Sequence, residues 1–220
     1  MIDTTKTDEL IDTLSRDRFG KTWLNSTLIV MVAALLAIVI ALVLSIVWLK
    51  PRLDLAPALI AENYVFGLKL VFAMCVVITA LPIVRDLSVP GRRVGLGLIL
   101  ATIPFLVMIV LALRELGARP FGEWSRDVGH AAWLECLWQI PALAIPAFVI
   151  LAIAVRHLAP TDLTRTGAYI GLLAGGIGAI AYALHCHEDS IAFVAIAYSL
   201  AIAEMTLVGA LIGPRMLRWQ

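Results

Sequence analysis

Residues 27–49 read TLIVMVAALLAIVIALVLSIVWL and contain no charged side chain. Because an α-helix rises about 1.5 Å per residue, this stretch is long enough to cross about 30 Å of hydrocarbon. The apolar core of a secretory signal peptide is shorter, and no small-residue cleavage site follows this stretch. We therefore interpret residues 27–49 as a retained transmembrane helix.

The composition of the whole chain supports a membrane protein. Hydrophobic residues make up 61% of the sequence and charged residues 15%, and the mean hydropathy is +0.96. These values lie far outside the range of soluble domains. Continuous apolar runs favour helices over the alternating strands of a membrane barrel. The net charge of +1 offers no basic surface for nucleic acid, so we expect no nucleic-acid partner.

Five further apolar segments have the length of a membrane span. The predicted spans are residues 27–49, 64–84, 94–113, 132–155, 167–184 and 191–212. The sequence thus predicts an all-α fold: a polytopic bundle of six transmembrane helices with a short cytoplasmic N-terminal helix. We divide the chain into a cytoplasmic segment, 1–22, and a transmembrane domain, 23–220. The fifth span is expected to be the shortest.

The positive charges predict the orientation of these spans. An even number of spans places both termini on one side, and lysine and arginine accumulate on the cytoplasmic side of short loops. The terminal side carries most of them: Lys6, Arg16, Arg18, Lys21, Arg85, Arg92, Arg93, Arg156, Arg165, Arg215 and Arg218. The opposite side has Lys50, Arg52, Arg114, Arg119 and Arg126. We expect both termini in the cytoplasm.

This orientation puts two of the three cysteines at the outer face. Cys186 lies in the heptapeptide LHCHEDS, residues 184–190, between spans five and six, and Cys136 lies about one turn into span four. Two thiols on one face suggest a pair that forms a disulfide or shares a soft metal ion. Alternatively, one is a small buried residue and the other an incidental loop residue. Cys75, in the middle of span two, is interpreted as a small apolar packing residue.

Histidines accompany the outer thiols. His185 and His187 flank Cys186, and His130 precedes Cys136. Thiolates and imidazoles together suit copper(I) or zinc(II), and neighbouring carboxylates could orient the imidazoles. The sequence has no Cys-X-X-Cys or His-Glu-X-X-His pattern, so a metal site depends on the fold bringing these residues together. A solvated polar turn is the alternative interpretation.

Other features within the spans indicate architecture. Gly167, Gly171 and Gly175 lie on one stripe of span five, which predicts close packing against another helix. Lys69 and Glu204 are the charged residues well inside spans. We expect Lys69 to extend toward the outer surface and Glu204 to lie nearer the inner one. Two such groups are few for an ion pathway.

The N-terminal segment is the longest stretch outside the predicted spans. Leu10, Ile11 and Leu14 form a narrow apolar stripe on a predicted helix that is too short to be stable alone. Such a helix either lies at the membrane interface or docks into a groove on a cytoplasmic protein.

Several of these motifs resemble one family. TDELIDTLSRD (7–17), ECLWQIP (135–141) and above all YALHCHEDSIAFVAIAY (182–198) are similar to NrsF-type membrane anti-sigma factors, and the likeness extends over essentially the whole chain. Members commonly have proline at the position of His187 and tryptophan at that of Ala197, so His187 adds a candidate ligand. The resemblance implies a cytoplasmic N-terminus that sequesters an extracytoplasmic-function sigma factor. It also implies that Cys136 and Cys186 sense heavy metal or oxidative stress.

We therefore predict a multi-pass protein of the bacterial inner membrane whose partners are a sigma factor and the lipid bilayer. It is not expected to be an enzyme or to need a cofactor, although copper or zinc could act as its signal. A membrane thiol-disulfide oxidoreductase is the second hypothesis, and the missing Cys-X-X-Cys pair argues against it. A small metal or ion transporter is the third.

Overall fold

The structure is a computed structural model that describes residues 25–50, 64–89, 95–118, 132–188 and 190–218. Two sequence predictions lie outside these residues. One is the N-terminal segment 1–22 with its stripe of Leu10, Ile11 and Leu14, and the other is the candidate ligand His130.

Six long helices make up the described part of the chain. They are α1 (Asn25–Leu49), α2 (Tyr64–Leu87), α3 (Gly95–Gly117), α4 (Ala132–Arg156), α5 (Leu163–Ala183) and α6 (Ile191–Met216). Each contains a segment long and apolar enough to cross a membrane. The described residues contain no strand, so the predicted all-helical fold with six apolar helices is confirmed. The side on which each helix end lies in a membrane stays a prediction.

Helix α5 lies at the centre of the bundle. It packs against α2, α4 and α6, and most of its residues are buried. A helix surrounded by other helices does not need large apolar side chains to face lipid, so its sequence can be rich in glycine and alanine. This composition is why the fifth span is expected to be the shortest. The helix begins at Leu163 rather than at the predicted 167, since the side chain of Asp162 caps it by accepting a hydrogen bond from the backbone N–H of Arg165 at 3.0 Å.

The predicted glycine stripe is the contact between α5 and α6. A Cβ atom added to Gly171 would collide with the carbonyl oxygen of Met205, and one added to Gly167 would collide with the carbonyl oxygen of Gly209. Because Gly209 also lacks a side chain, the two backbones touch directly. The packing role predicted for this stripe is confirmed.

One end of the bundle departs from regular α-helix at two places. The last five residues of α1, Ser45–Leu49, form a π-helical turn, and Lys50 follows with a positive φ of 63°. The Ser45 hydroxyl donates a hydrogen bond of 2.7 Å to the carbonyl of Ala181 in α5. A second π-helical turn, Val194–Tyr198, lies near the start of α6. Such turns are frequent at functional sites, and both lie beside the LHCHEDS segment.

Candidate functional site

The structure brings Cys136 and Cys186 together. Cys136 is in the second turn of α4, Cys186 is in the turn between α5 and α6, and both are buried as free thiols. The two side chains are within hydrogen-bonding contact of each other. Cys75 is elsewhere, on the part of α2 that borders an apolar pocket against α3. The sensor role expected for the outer pair stays a prediction, but the proximity on which it depends is present.

Two tyrosines lie beside the thiols, and a glutamine follows Cys136 on α4. The Cys136 Sγ and the Tyr182 hydroxyl oxygen lie 3.4 Å apart, within hydrogen-bonding distance, and the ring of Tyr198 packs 6.0 Å from that of Tyr182. The Tyr198 hydroxyl lies next to Cys186 at a geometry too poor for a full hydrogen bond. Gln139, nearly one turn beyond Cys136, also has a buried Oε1 that no described residue satisfies. The thiol pair therefore lies in a polar pocket with unused hydrogen-bonding capacity.

Lys69 belongs to this pocket: it reaches the α5–α6 turn at the predicted outer end, but its ammonium group is enclosed by protein and does not reach the surface as expected. Its side chain is 0% exposed, and its Nζ lies 3.5 Å from the carbonyl oxygen and 3.8 Å from the Sγ of Cys186. The reason is its position on α2: it shares the buried face with Phe66 and Phe72, so the side chain points inward. An i, i+3 spacing with these aromatic residues is visible in the sequence and could have indicated this.

The surroundings of Cys186 favour its thiolate. A hydrogen bond from Cys136 is the largest influence and lowers the pKa of Cys186 below the usual value of a thiol. The positive charge of Lys69 acts in the same direction. Burial raises the pKa but is outweighed by these contacts. These surroundings favour the ionised form of Cys186, which is the form of a thiol that reacts as a nucleophile and binds soft metal ions.

The histidines are less closely associated with the thiols. His185 Nδ1 lies 2.9 Å from the carbonyl oxygen of Lys50, which links the turn to α1, and its ring is 6.0 Å from that of Tyr182. His187 is exposed, with its ring 6.1 Å from that of His185. Among the described residues, no three histidine, cysteine or acidic side chains come together as a metal-ligand set. Of the predicted ligands that the structure describes, only Cys136 and Cys186 are brought into contact.

Residues from four other helices hold this turn. Lys50, Lys69 and Cys136 contact it from the ends of α1, α2 and α4. The Glu115 side chain of α3 accepts a hydrogen bond of 3.0 Å from the backbone N–H of Ala192, in the first turn of α6. Sequence reasoning did not assign Tyr182, Tyr198 or Glu115 to the site, and it placed Lys69 at the surface, because each of these residues contacts a partner outside its own helix. Cys186 therefore lies in a turn that α1, α2 and α4 contact, directly before the first turn of α6, which α3 contacts.

The fold and the thiol pair define a class: an all-helical protein with six helices long and apolar enough to cross a membrane, and with two thiols in contact where α4 meets the turn that joins the last two helices. The chain belongs to the NrsF family, described as negative regulator of sigma F, which it matches over residues 21–219. This confirms the resemblance on which the sequence interpretation relied.

Two curated relatives show the extent of the similarity. The anti-sigma-F factor NrsF of Caulobacter vibrioides is 30% identical over 215 residues, which cover 97% of this chain and 100% of the relative. The probable anti-sigma-F factor NrsF of Azospira oryzae is 32% identical over 180 residues, covering 81% of this chain and 83% of the relative. No solved structure matches the chain.

Proposed function

We propose that the protein is an inner-membrane anti-sigma factor. It holds a sigma factor of the extracytoplasmic-function type through its cytoplasmic N-terminal segment and releases it when a thiophilic metal or an oxidant acts on Cys136 and Cys186. Membership of a family of negative regulators of sigma F supports the regulatory part. The relatives, whose names describe anti-sigma-F factors, cover nearly the full length of the chain.

The contact between Cys136 and Cys186 carries the sensing part of the proposal. If an oxidant accepts two electrons, the two thiols lose two protons and form one disulfide bond. If a soft ion binds instead, the two thiols lose their protons and coordinate it as thiolates. A two-thiolate site suits copper(I). Zinc prefers four ligands, so it would need further donors, for which His185, His187 and His130 are the candidates.

The contacts of the α5–α6 turn support a route from this chemistry to the opposite end of the bundle. Linking Cys136 to Cys186 ties α4 to the turn and alters the surroundings of the Lys69 ammonium group on α2. To convert a population from 1:99 to 99:1 in favour of the releasing state, the signal must favour that state by about 5.5 kcal/mol. Thiolate coordination provides free energies of this size.

Sigma binding is assigned to residues 1–22, with Leu10, Ile11 and Leu14 forming the docking face of a short helix. Deleting residues 1–20 should leave the membrane bundle intact, abolish co-purification with the sigma factor and activate its target genes. A finer test compares Leu14→Asp, on the stripe, with Thr13→Asp, beside it. We expect only the first to release the sigma factor. Retention of the sigma factor by the truncated protein would contradict the docking role.

A membrane thiol oxidoreductase remains the second candidate, because two buried thiols in contact also suit dithiol exchange. Such enzymes usually relay electrons through a second dithiol, and this sequence has only three cysteines in total. A mixed disulfide trapped between Cys186 and a substrate protein in the Cys136→Ser variant would favour this alternative. The transporter hypothesis stays third, since Lys69 and Glu204 remain the only charges well inside the described spans.

A further inference from the structure

The two thiols of the pocket differ in their surroundings. Cys136 is fully buried in the second turn of α4. Cys186 lies in the turn between α5 and α6, which ends this side of the bundle, and its neighbour His187 is exposed. A small molecule that approaches this end from water therefore meets the turn before it meets α4. Contact between two thiols does not by itself decide which of them reacts first, but these surroundings favour Cys186.

A positive charge adjoins Cys186. The Lys69 Nζ lies 3.8 Å from the Sγ and 3.5 Å from the carbonyl oxygen of Cys186, and the lysine side chain is wholly buried. The carbonyl contact holds the ammonium group beside the sulfur, and a charge interaction is strong where water is excluded. A thiolate at Cys186 is therefore stabilised, and the thiolate is the form of a thiol that attacks an electrophile.

Cys136 is placed to react with an oxidised Cys186. The two side chains are within hydrogen-bonding contact, and the hydrogen bond from Cys136 favours the ionised form of Cys186. A second thiol in such contact has both a sulfur within reach and a proton to give. These are the two things needed to displace an oxygen atom from an oxidised sulfur and to form a disulfide.

A buried hydroxyl group indicates what the pocket can receive. Tyr198 is 0% exposed, its hydroxyl group adjoins Cys186, and no described residue completes a hydrogen bond to it. A buried hydroxyl group without a hydrogen bond costs free energy. An oxygen atom bonded to the Cys186 sulfur would lie next to this hydroxyl group and accept its hydrogen bond. An oxidised Cys186 therefore gives Tyr198 a partner that the described residues do not supply.

We propose that Cys186 is the thiol that a hydroperoxide oxidises first, to a sulfenic acid, and that Cys136 then converts this sulfenic acid into the disulfide. Lys69 and Tyr198 are positioning residues for the first step, since Lys69 stabilises the attacking thiolate and Tyr198 receives the new oxygen. The inference rests on the proposed function, because it takes an oxidant as the signal. It adds the class of oxidant and the order in which the two thiols react.

The oxidation proceeds in two steps. In the first, the Cys186 thiolate attacks one oxygen of the hydroperoxide, the S–O bond forms and the O–O bond breaks. The departing oxygen takes the bonding electrons and then a proton from water, so the sulfur loses two electrons and the peroxide gains them. In the second, the Cys136 sulfur attacks the Cys186 sulfur, the S–S bond forms and the S–O bond breaks. The oxygen leaves as water with the proton of Cys136.

Trapping of the sulfenic acid by dimedone in the native full-length protein tests this order without a substitution. With dimedone present during a brief pulse of hydrogen peroxide, peptide mass analysis should find the adduct on Cys186 and none on Cys136. In Cys136→Ser, where the resolving thiol is absent, labelling of Cys186 should go to completion. In Cys186→Ser, Cys136 should stay unlabelled over the same time. An adduct on Cys136 in the native protein, or none on either thiol, overturns the proposal.

The pH dependence of labelling tests the role of Lys69. Loss of its ammonium group raises the pKa of Cys186 from about 6 by about two units. At about pH 5 this change lowers the thiolate fraction about a hundredfold, while the more basic thiolate is about tenfold more reactive. In a Cys136→Ser background, Lys69→Met should therefore slow labelling about tenfold at about pH 5 and should not slow labelling at about pH 8.

Matched variants separate charge from packing. Among the described residues, the titratable side chains that face Cys186 from neighbouring helices are those of Lys69, Cys136, Tyr182 and Tyr198. Lys69→Arg keeps the charge and should keep the native pH profile, and Val71→Met, on the exposed side of α2, should not alter it. Tyr198→Phe should speed conversion of the sulfenic acid to sulfinic acid, because the new oxygen loses its donor. The same pH profile with lysine and with methionine at position 69 overturns the proposal.

Induction of the sigma-dependent genes by hydrogen peroxide is a separate readout that distinguishes this order from the proposed function. An adduct on Cys136 together with loss of induction in both outer-cysteine variants overturns the order of reaction and leaves the sensing function intact. An adduct on Cys186 together with normal induction in both variants supports the order of reaction and overturns the sensing function.

Discussion

Replacing Lys69 with methionine should make Cys186 a weaker acid. The Lys69 Nζ lies 3.8 Å from the Cys186 Sγ, and two unit charges at that separation interact by about 4 kcal/mol at an effective dielectric constant of about 20. Converted at about 1.4 kcal/mol per pH unit, this sets an upper limit of about three units on the rise in the pKa of Cys186. Since the hydrogen bond from Cys136 is the larger influence, we expect a rise of about one to three units.

The assay is the rate of alkylation of Cys186 by iodoacetamide as a function of pH. The protein carries Cys75→Ser, and it carries Cys136→Ser so that a hydroxyl group still donates to Cys186. Only the thiolate reacts, so the rate rises with pH through the pKa. With Lys69 present, the reaction should stay fast as the pH falls through 8 and decline only below the lowered pKa. In Lys69→Met the decline should begin at higher pH.

Two controls separate charge from packing. Lys69→Arg keeps the positive charge and should keep the midpoint close to its original pH. Val71→Met, on the exposed side of α2, changes neither the charge nor the pocket and should have no effect. An identical midpoint with lysine and with methionine at position 69 would refute the placement of this ammonium group beside Cys186.

Three further predictions concern the bundle and its thiols. Gly171→Ala should lower the unfolding temperature in detergent, because the added methyl group meets the Met205 backbone at an overpacking cost of about 1–3 kcal/mol; Gly67→Ala, with nothing within 4 Å, should not. Asp162→Ala should cost about 1 kcal/mol by removing the cap of α5. Asp162→Asn should retain most of that stability, since the exposed ion pair with Arg165 contributes little; equal losses would show that the charge, not the cap, matters. Diamide should link Cys136 to Cys186, as read by differential alkylation and peptide mass, whereas a bridge that includes Cys75 would be inconsistent with the observed pocket.

The number and type of the helices could be predicted because membrane burial is a local property of the sequence. About 20 consecutive apolar residues predict a span wherever they occur, and all six predicted segments coincide with observed helices to within a few residues. The helix ends were less accurate because capping and continuation past the apolar run decide them. Asp162 begins α5 before its apolar stretch, and α6 continues to Met216.

The candidate site was only partly predictable. Cys136 and Cys186 could be assigned to one end of the bundle by counting spans, but span counting says nothing about which helices are neighbours. Lys69 was misplaced for this reason: a lone lysine in a span extends toward water when its face meets lipid, and it is retained inside when that face meets a polar pocket. The contact of Lys69 with Cys186 depends on α2 packing against α5, which no local pattern reveals.

The most direct test of the central claim measures induction of the sigma-dependent genes by a thiophilic metal or an oxidant in three single variants. Cys136→Ser and Cys186→Ser should each abolish the response while the protein remains in the membrane at normal levels. Cys75→Ser, outside the thiol pocket, should respond like the native protein. Basal expression in the first two variants will reveal whether the loss of a thiol locks the holding or the releasing state. An undiminished response in both outer-cysteine variants would contradict the proposed sensing mechanism.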